Sequence, residues 1–412
     1  MARQHILGLD IGSETIKAVL AEPAPEGKLA LVKSFIRPSK GIRKGVVVDM
    51  DGVVGVVSGL FDEITDMSKT AIKNVVLGIG GSDVIVRTSR GSAAVSRANS
   101  EIHKDDIDRA VESSVPVKPR SNRFNLHTIN QEFIVDGVGD IQDPLGMVGA
   151  RLEVINLIID AFEPSVKNLQ KCIKLAGGEV DTMVFTPLAS AKSVLTDKQK
   201  ELGVVLIDIG AGSTGLAVYE ENKLLHTKVF KIGANNITND LALALQIPVE
   251  VADKVKLSYG YAISKEVPSR DHIDLKTINP ELNGKPSKKF IAEVVEARLS
   301  EICEIINDDL KAIGKDKNLP GGAIVVGGGA KMPGVVDLVQ SELKLASQIG
   351  VVNSSLFAAK DSSARELLAS PEYTCVLGLP LYSEQAKVKV RGGTSGGPAF
   401  GWARGLIDKV MP

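Results

Sequence analysis

Cysteine is scarce in this chain: 3 in 412 residues, at Cys172, Cys303 and Cys375. They are far apart and odd in number, with no disulfide pattern and no metal-ligand spacing, so a reduced, cytosolic setting is expected. Long apolar runs are also absent. None reaches the ~18 residues a membrane span needs, so any membrane contact is expected to be peripheral. Met1-Ala2-Arg3-Gln4-His5 runs straight into Ile6-Leu7-Gly8 with no apolar h-region and no small-residue cleavage site, and no signal peptide is expected. Neither sign of charge dominates: 49 Lys and Arg face 50 Asp and Glu. That balance gives no basic footprint for nucleic acid and no acidic, disordered chain. Several signatures are missing too. No Gly-x-x-x-x-Gly-Lys-Ser/Thr stretch exists, which excludes a Walker-type loop. No Gly-x-Gly-x-x-Gly opens a helix after the first strand, which argues against a dinucleotide fold. His-Glu-x-x-His and Gly-x-Ser-x-Gly are absent, and the five histidines form no cluster.

What is present reads as an ordinary soluble globular protein, 44% hydrophobic and 24% charged,. At roughly 100–200 residues per domain, the length predicts two to four domains. Ile6–Asp10 is a short buried-type strand, and Lys17–Ala21 continues it as the second arm of a hairpin. A helix is expected over Val46–Met67, an acidic one over Lys104–Ser114, and others over Val166–Leu175, Leu188–Leu195, Ile237–Leu245 and Val249–Tyr259,. Phe290–Ile313 reads as amphipathic, with Val294, Ala297, Ile302, Cys303, Ile306, Leu310 and Ile313 near one face,. Val204–Asp208 and Gly215–Tyr219 repeat the opening grammar of apolar strand, Asp-Ile-Gly, turn and strand. The two copies lie about 200 residues apart, an internal duplication of one supersecondary unit,.

Three glycine loops carry the chemistry. In the first, Gly12 lets the backbone turn tightly so that N–H groups can face phosphate oxygens. Ser13, Glu14 and Thr15 complete that turn; the hydroxyls of Ser13 and Thr15 can donate, and Lys17 supplies a point charge,. Asp10, at the strand end, suits Mg²⁺ held through water, because that ion keeps much of its hydration shell. The second loop, Asp208-Ile209-Gly210-Ala211-Gly212-Ser213-Thr214, offers the same chemistry from the opposite side, with Asp208 in the place of Asp10. Two facing hairpins would clamp a triphosphate. The third loop, Gly327-Gly328-Gly329-Ala330, follows the strand Ala323–Val326, and its bare backbone suits a nucleoside lying flat,. Each loop alone is an ordinary turn; the matched pair followed by the third is what points to a nucleotide.

From Gln385 the texture changes. Lys387, Lys389 and Arg391 precede a glycine/serine linker, Gly392–Pro398,. On a helix of roughly 100° per residue, Phe400, Trp402, Ala403, Leu406, Ile407, Val410 and Met411 fall within half the circumference, opposite Arg404, Asp408 and Lys409. That is the pattern of an interfacial helix. Docking on its own domain or on a partner is the other reading of the same pattern.

The chain resembles the FtsA family of bacterial cell-division proteins, within the actin/Hsp70 superfamily. The carriers are Gly8–Ser13, Gly41–Val46, Ser89–Gly91, Gln131-Glu132-Phe133-Ile134-Val135-Asp136-Gly137, Asp143-Pro144-Leu145-Gly146-Met147, Pro187–Ala191, Leu206–Gly210, Gly233–Thr238 and Val326–Ala330. The resemblance implies an α/β, actin-like ATPase fold of two duplicated halves around a nucleotide cleft, with a family-specific subdomain 1C in place of actin's 1B. The expected division is 1–82 and 166–200 for subdomain 1A, 83–165 for 1C, 201–232 for 2A and 233–320 for 2B. It continues with 321–385 for the rest of 2A and the return to 1A, 386–398 for the linker, and 399–412 for an amphipathic membrane-targeting helix. The resemblance further implies binding of ATP with Mg²⁺ at Asp10 and Asp208. It implies self-association into filaments, an anionic membrane surface as partner at the division site, and the tail of the tubulin-like FtsZ bound on 2B. Asp253 and Lys256, one helical turn apart, are expected near ribose and base.

The sequence departs from the family pattern at three places. Thr186 stands where many relatives have Glu, Gly215 where many have an acid, and Ala211 where a glycine is common. Without an acid or base there to orient water, hydrolysis is expected to be slow or negligible. Two other functions remain open at this level: an assembly platform resembling the type IV pilus protein PilM, and a small-molecule kinase of the same superfamily.

Overall fold

The computed structural model describes residues 5–81, 83–97, 99–115, 122–358 and 361–383. The basic run, the linker and the terminal helix expected at 386–412 therefore lie outside the described residues. Residues 5–85 with 161–383 form one compact unit, and 86–160 form another.

The first unit contains two sheets built to one plan. From edge to edge the first runs Val180–Phe185, Val75–Ile79, Ile6–Ile11, Thr15–Pro23, Leu29–Pro38, with Phe357–Ala358 on its far side. The second runs Ser347–Ile349, Ala323–Val326, Val204–Ile209, Thr214–Glu220, Lys223–Phe230. In each, a hairpin is flanked on one side by an antiparallel third strand and on the other by two parallel strands. The registers also agree: Asp10 pairs with Lys17 and Ile11 with Ile16, just as Asp208 pairs with Gly215 and Ile209 with Thr214. The inner strands are almost continuously apolar and buried, as strands covered on both faces must be,. The duplication read from the sequence is thus a duplication of a whole sheet.

Helices cover the sheets. Lys288–Ala312 starts at Ser287, whose hydroxyl accepts from the Phe290 N–H at 3.1 Å,. Its buried stripe is Ile291, Val295, Leu299, Ile302, Ile306 and Leu310. The expected face was turned too far at its N-terminal end: Ala297 is exposed and Val294 only partly buried, while Val295 and Leu299 fill the core. The helix expected from Val46 begins at Met50, because Val46–Val47 pairs with Ile42–Arg43 and Asp49 then caps Gly52 N–H at 3.2 Å. Two helices, Thr186–Val194 and Thr374–Gly378, cross so tightly that a Cβ on Gly378 would stand 1.9 Å from the Ala189 carbonyl oxygen. Among the described residues no helix is long and apolar enough to cross a membrane.

The second unit is a four-stranded sheet in the order Ile85–Ala94, Arg151–Phe162, Arg123–Val135, Val138–Ile141. Its helix is Lys104–Ser114, as expected from the sequence. Ile102, Ala110, Val111, Phe133, Leu152 and Val154 make its core.

Candidate functional site

The two hairpins and the third glycine loop border one cavity of about 620 Å³ inside the first unit. That volume is ample for a nucleotide-sized ligand. Gly12 N–H donates to the Thr15 carbonyl at 3.1 Å, and Gly210 N–H to that of Ser213 at 2.9 Å, so both turns close the same way. A Cβ on Gly12 would lie 2.8 Å from the Thr15 oxygen, and one on Gly210 2.9 Å from the Ser213 oxygen; the turns need glycine for close approach. Ser13, Glu14, Thr15 and Lys17 line one side, and Ala211, Gly212 and Ser213 the other. The sides touch where Asn235 Nδ2 donates to Glu14 Oε2 at 3.2 Å; within the first side, Gly45 N–H donates to Ser13 Oγ at 3.3 Å.

Asp10 and Asp208 sit at the ends of the two central strands and both line the cavity. Burial raises the Asp10 carboxyl above its ordinary range, and the Lys17 charge opposes this. Burial pushes Asp208 up to about 6; the Ser190 hydrogen bond opposes that rise and the Asp10 charge adds to it,. Among the described residues no group of three or more His, Cys, Asp or Glu could hold a metal. The pair suits an ion that keeps its water shell, as Mg²⁺ does.

At the third loop, Gly327, Gly328 and Gly329 line the cavity. Gly327 has φ +84°, and a Cβ there would meet Asp208 Oδ1 at 2.4 Å. Asp253 and Lys256 are on the wall, but not as a solvated helix face. Lys256 is buried and its Nζ donates to Asp253 Oδ1 and to Thr238 Oγ1, each at 2.7 Å.

Two residues of the expected set do not line the cavity. Thr214 is wholly buried and its hydroxyl donates to the Ile232 carbonyl at 2.8 Å. Strand alternation turns it away from the side chains of the turn. Ala330 lies in the core beneath the third loop, where the short helix Gly328–Lys331 points it inward. The departures from the family pattern also have a structural setting. Thr186 lines the cavity at the start of its helix. Gly215 lies under Pro187, whose Cγ would be 3.0 Å from a Cβ there, so a larger side chain would need Pro187 to give by a few tenths of an ångström. The membrane residues Phe400, Trp402, Leu406, Ile407, Val410 and Met411 are outside the described residues.

Sequence reasoning overlooked four residues. Ser190 donates to Asp208 Oδ2 at 2.7 Å. Lys331 and Glu372 pair at 2.8 Å on the cavity wall. Cys375 lines it too, its thiol pushed well up by burial and by the charges of Asp10 and Asp208. Ser190, within Pro187–Ala191, and Lys331, next to Ala330, had proximity to a quoted segment as their signal; Glu372 and Cys375 had none.

Two matched hairpin sheets around a glycine-lined cleft define a protein of the actin-like ATPase fold. Solved structures agree: PilM in the PilM-PilN type IV pilus biogenesis complex superposes with TM-score 0.64 at 18% identity, covering 92% of this chain and 98% of that one. MreB5 of Spiroplasma citri bound to ADP gives TM-score 0.54 at 13% identity, over 95% and 99%. At such identities the likeness is one of fold. The sequence comparisons go further. The family model "Cell division protein FtsA" matches residues 205–378, and "SHS2 domain inserted in FTSA" matches 81–159. Cell division protein FtsA of Pseudomonas aeruginosa is 32% identical over 380 residues, covering 92% of this chain and 89% of its own. The chain belongs to the FtsA family of cell-division proteins.

Proposed function

We propose that this protein is an ATP-binding, polymerising adaptor that tethers FtsZ filaments to the inner face of the cytoplasmic membrane at the division site. The observation that carries the reading is the clamp itself: two matched turns and two carboxylates converging on one cavity. ATP with Mg²⁺ fits the residues present. Two carboxylates that burial leaves reluctant to ionise share one cavity, and a cation there would relieve both,. A bound Mg²⁺ would offset phosphate charge. Asp10 and Asp208 would hold its water shell, the N–H groups of the Gly12–Thr15 and Gly210–Ser213 turns would face phosphate oxygens, and Lys17 would add a positive charge. Asp253, Lys256 and the Gly327–Gly329 backbone would take the nucleoside. MreB5 of Spiroplasma citri, of the same fold, has been solved with ADP and with AMPPNP. Thr186 brings a hydroxyl, which is no base at neutral pH, to the place where an acid would orient water, so turnover is slow.

The partner tail has a candidate seat. A groove between Ala234–Leu245 and Lys288–Ala312 is lined by Leu243, Ala244, Val294 and Ala297, with Asp240, Glu293, Arg298 and Glu301. Leu243 is 78% exposed there. Three carboxylates to one guanidinium favour an apolar segment that also carries basic residues. The PilM-like platform fits less well, because the chain carries the FtsA insertion and a basic, glycine-linked, amphipathic tail.

Vesicle pelleting with Mg²⁺·ATP tests this reading. The full chain should pellet with anionic vesicles, carry an FtsZ tail peptide with it, and release phosphate far more slowly than actin filaments. A chain ending at Arg391 should stay in solution, and Leu243→Asp should lose the peptide but not the vesicle. If the shortened chain also binds vesicles, or neither does, the tail is no anchor and the platform reading moves ahead.

A further inference from the structure

The duplicated hairpins are matched residue for residue, yet their two carboxylates are held differently. Asp10 receives no hydrogen bond from any described side chain, whereas Asp208 Oδ2 accepts from Ser190 Oγ at 2.7 Å. Ser190 is fully buried on the crossing helix Thr186–Val194, which follows a strand of the first sheet, while Asp208 ends a strand of the second. The bond therefore reaches from one half of the unit to the other. On the other crossing helix, Thr374 and Cys375 line the cavity; the Thr374 hydroxyl donates to the Pro371 carbonyl at 3.0 Å, and the Cys375 thiol is a weak donor. Only one of the two carboxylates is thus fixed by a strong neutral donor. The Ser190 backbone is itself held, since Ser193 Oγ donates to the Ser190 carbonyl at 3.0 Å and to that of Thr374 at 2.7 Å.

We propose that Ser190 is a positioning residue for metal-bound nucleotide: by occupying Asp208 Oδ2 it orients the carboxylate and leaves Oδ1 for the ion's water shell. This rests on the reading of the cleft as a Mg²⁺·ATP site. Ser190 touches neither nucleotide nor ion. It acts through Asp208, as hydrogen-bond partners of metal ligands do, and losing such a partner typically costs about 10–100-fold in metal affinity. Because donor and acceptor belong to different halves, the carboxylate is oriented only when the halves are closed as they are here.

The test is equilibrium binding of a fluorescent ATP analogue to the full chain while Mg²⁺ is titrated, with EDTA as the metal-free reference. Wild type should bind more tightly as Mg²⁺ rises; if it binds equally well in EDTA, the metal reading of the cleft fails and this inference falls with it. Ser190→Ala should raise the Mg²⁺ half-point about tenfold while metal-free affinity stays within about twofold. Ser190→Thr, which keeps the hydroxyl, should restore the half-point, and does so even if the alanine variant folds poorly. If Ser190→Ala weakens metal-free and metal-bound nucleotide equally, or Ser190→Thr fails to restore the half-point, the role is structural and the inference is overturned.

Discussion

His127 and Asp208 show how burial works in opposite directions on a base and an acid. His127 is 8% exposed in the strand Arg123–Val135, and desolvation lowers its pKa from 6.5 to about 4. The unfolded chain therefore binds a proton that the folded chain refuses between those values. Stability is fully present above about 6.5 and is lost as pH falls towards 4, by about 3 kcal/mol in all,. Hydrogen exchange of the intact chain should show Arg123–Val135 less protected at pH 5 than at pH 7, and His127→Gln should flatten that difference. An unchanged slope in the variant would place the acid sensitivity elsewhere. At this scale the sequence was half legible. Asp10, Gly12 and Lys17 could be read because one hairpin holds them all, so spacing along the chain is spacing in the site. Ser190, Glu372 and Cys375 could not, because their partners arrive from distant segments. Thr214 was misread because it opens the strand Thr214–Glu220 rather than closing the turn, and a strand flips its side chain at every step,.

The third glycine loop shows what an element adds to its residues. Its glycines have similar sequence context and different jobs. A Cβ on Gly327 would meet Asp208 Oδ1 at 2.4 Å with φ at +84°, and one on Gly329 would meet Ile209 Cγ2 at 2.3 Å; a Cβ on Gly328 has nothing within 4 Å. Gly327→Ala should therefore destabilise the fold by about 1–3 kcal/mol through strain and crowding. Gly328→Ala should leave stability within about 0.5 kcal/mol but put a methyl where the cavity is, lowering ATP affinity about tenfold, a loss of about 1.4 kcal/mol. Thermal melts paired with nucleotide titrations separate the two effects, and a Gly328→Ala protein that binds ATP normally would move the nucleoside off this loop. Helices were legible where a start signal precedes an apolar period, as at Lys104–Ser114, where the His103 N–H donates to Asp106 Oδ2 at 2.9 Å, and at Val249–Tyr259, which Pro248 precedes. The start of Met50–Met67 was not, because Val46–Val47 is drawn into a ladder by Ile42–Arg43, a pairing that apolar content does not reveal.

At the scale of the molecule, the repeated strand–turn–strand grammar reported more than a motif: each copy lies at the centre of a five-strand order, the two hairpins share one register, and the cleft is where the copies face each other. The pairing of the halves was legible because duplication leaves a trace in sequence. The groove beside Leu243 was not, because its walls come from helices about 50 residues apart,. This organisation sets how ligand binding appears as stability. A ligand that binds only the folded state stabilises it by RT ln(1 + [L]/Kd), about 2.7 kcal/mol at a hundredfold excess over Kd. The cleft lies wholly within residues 5–85 and 161–383, so the gain should appear there. With saturating Mg²⁺·ATP, hydrogen exchange should slow in the strands Ile6–Ile11 and Val204–Ile209, and the melting transition of that unit should rise by about 5 °C. EDTA should reverse most of both changes. Residues 86–160, which hold His127 and no part of the cavity, should keep their exchange rates and their acid response. Slowed exchange in the central strands alone places the ligand in the cleft; equal slowing across 86–160 would mean that nucleotide binds elsewhere or reorganises the insertion as well, and the clamp would no longer explain the linkage.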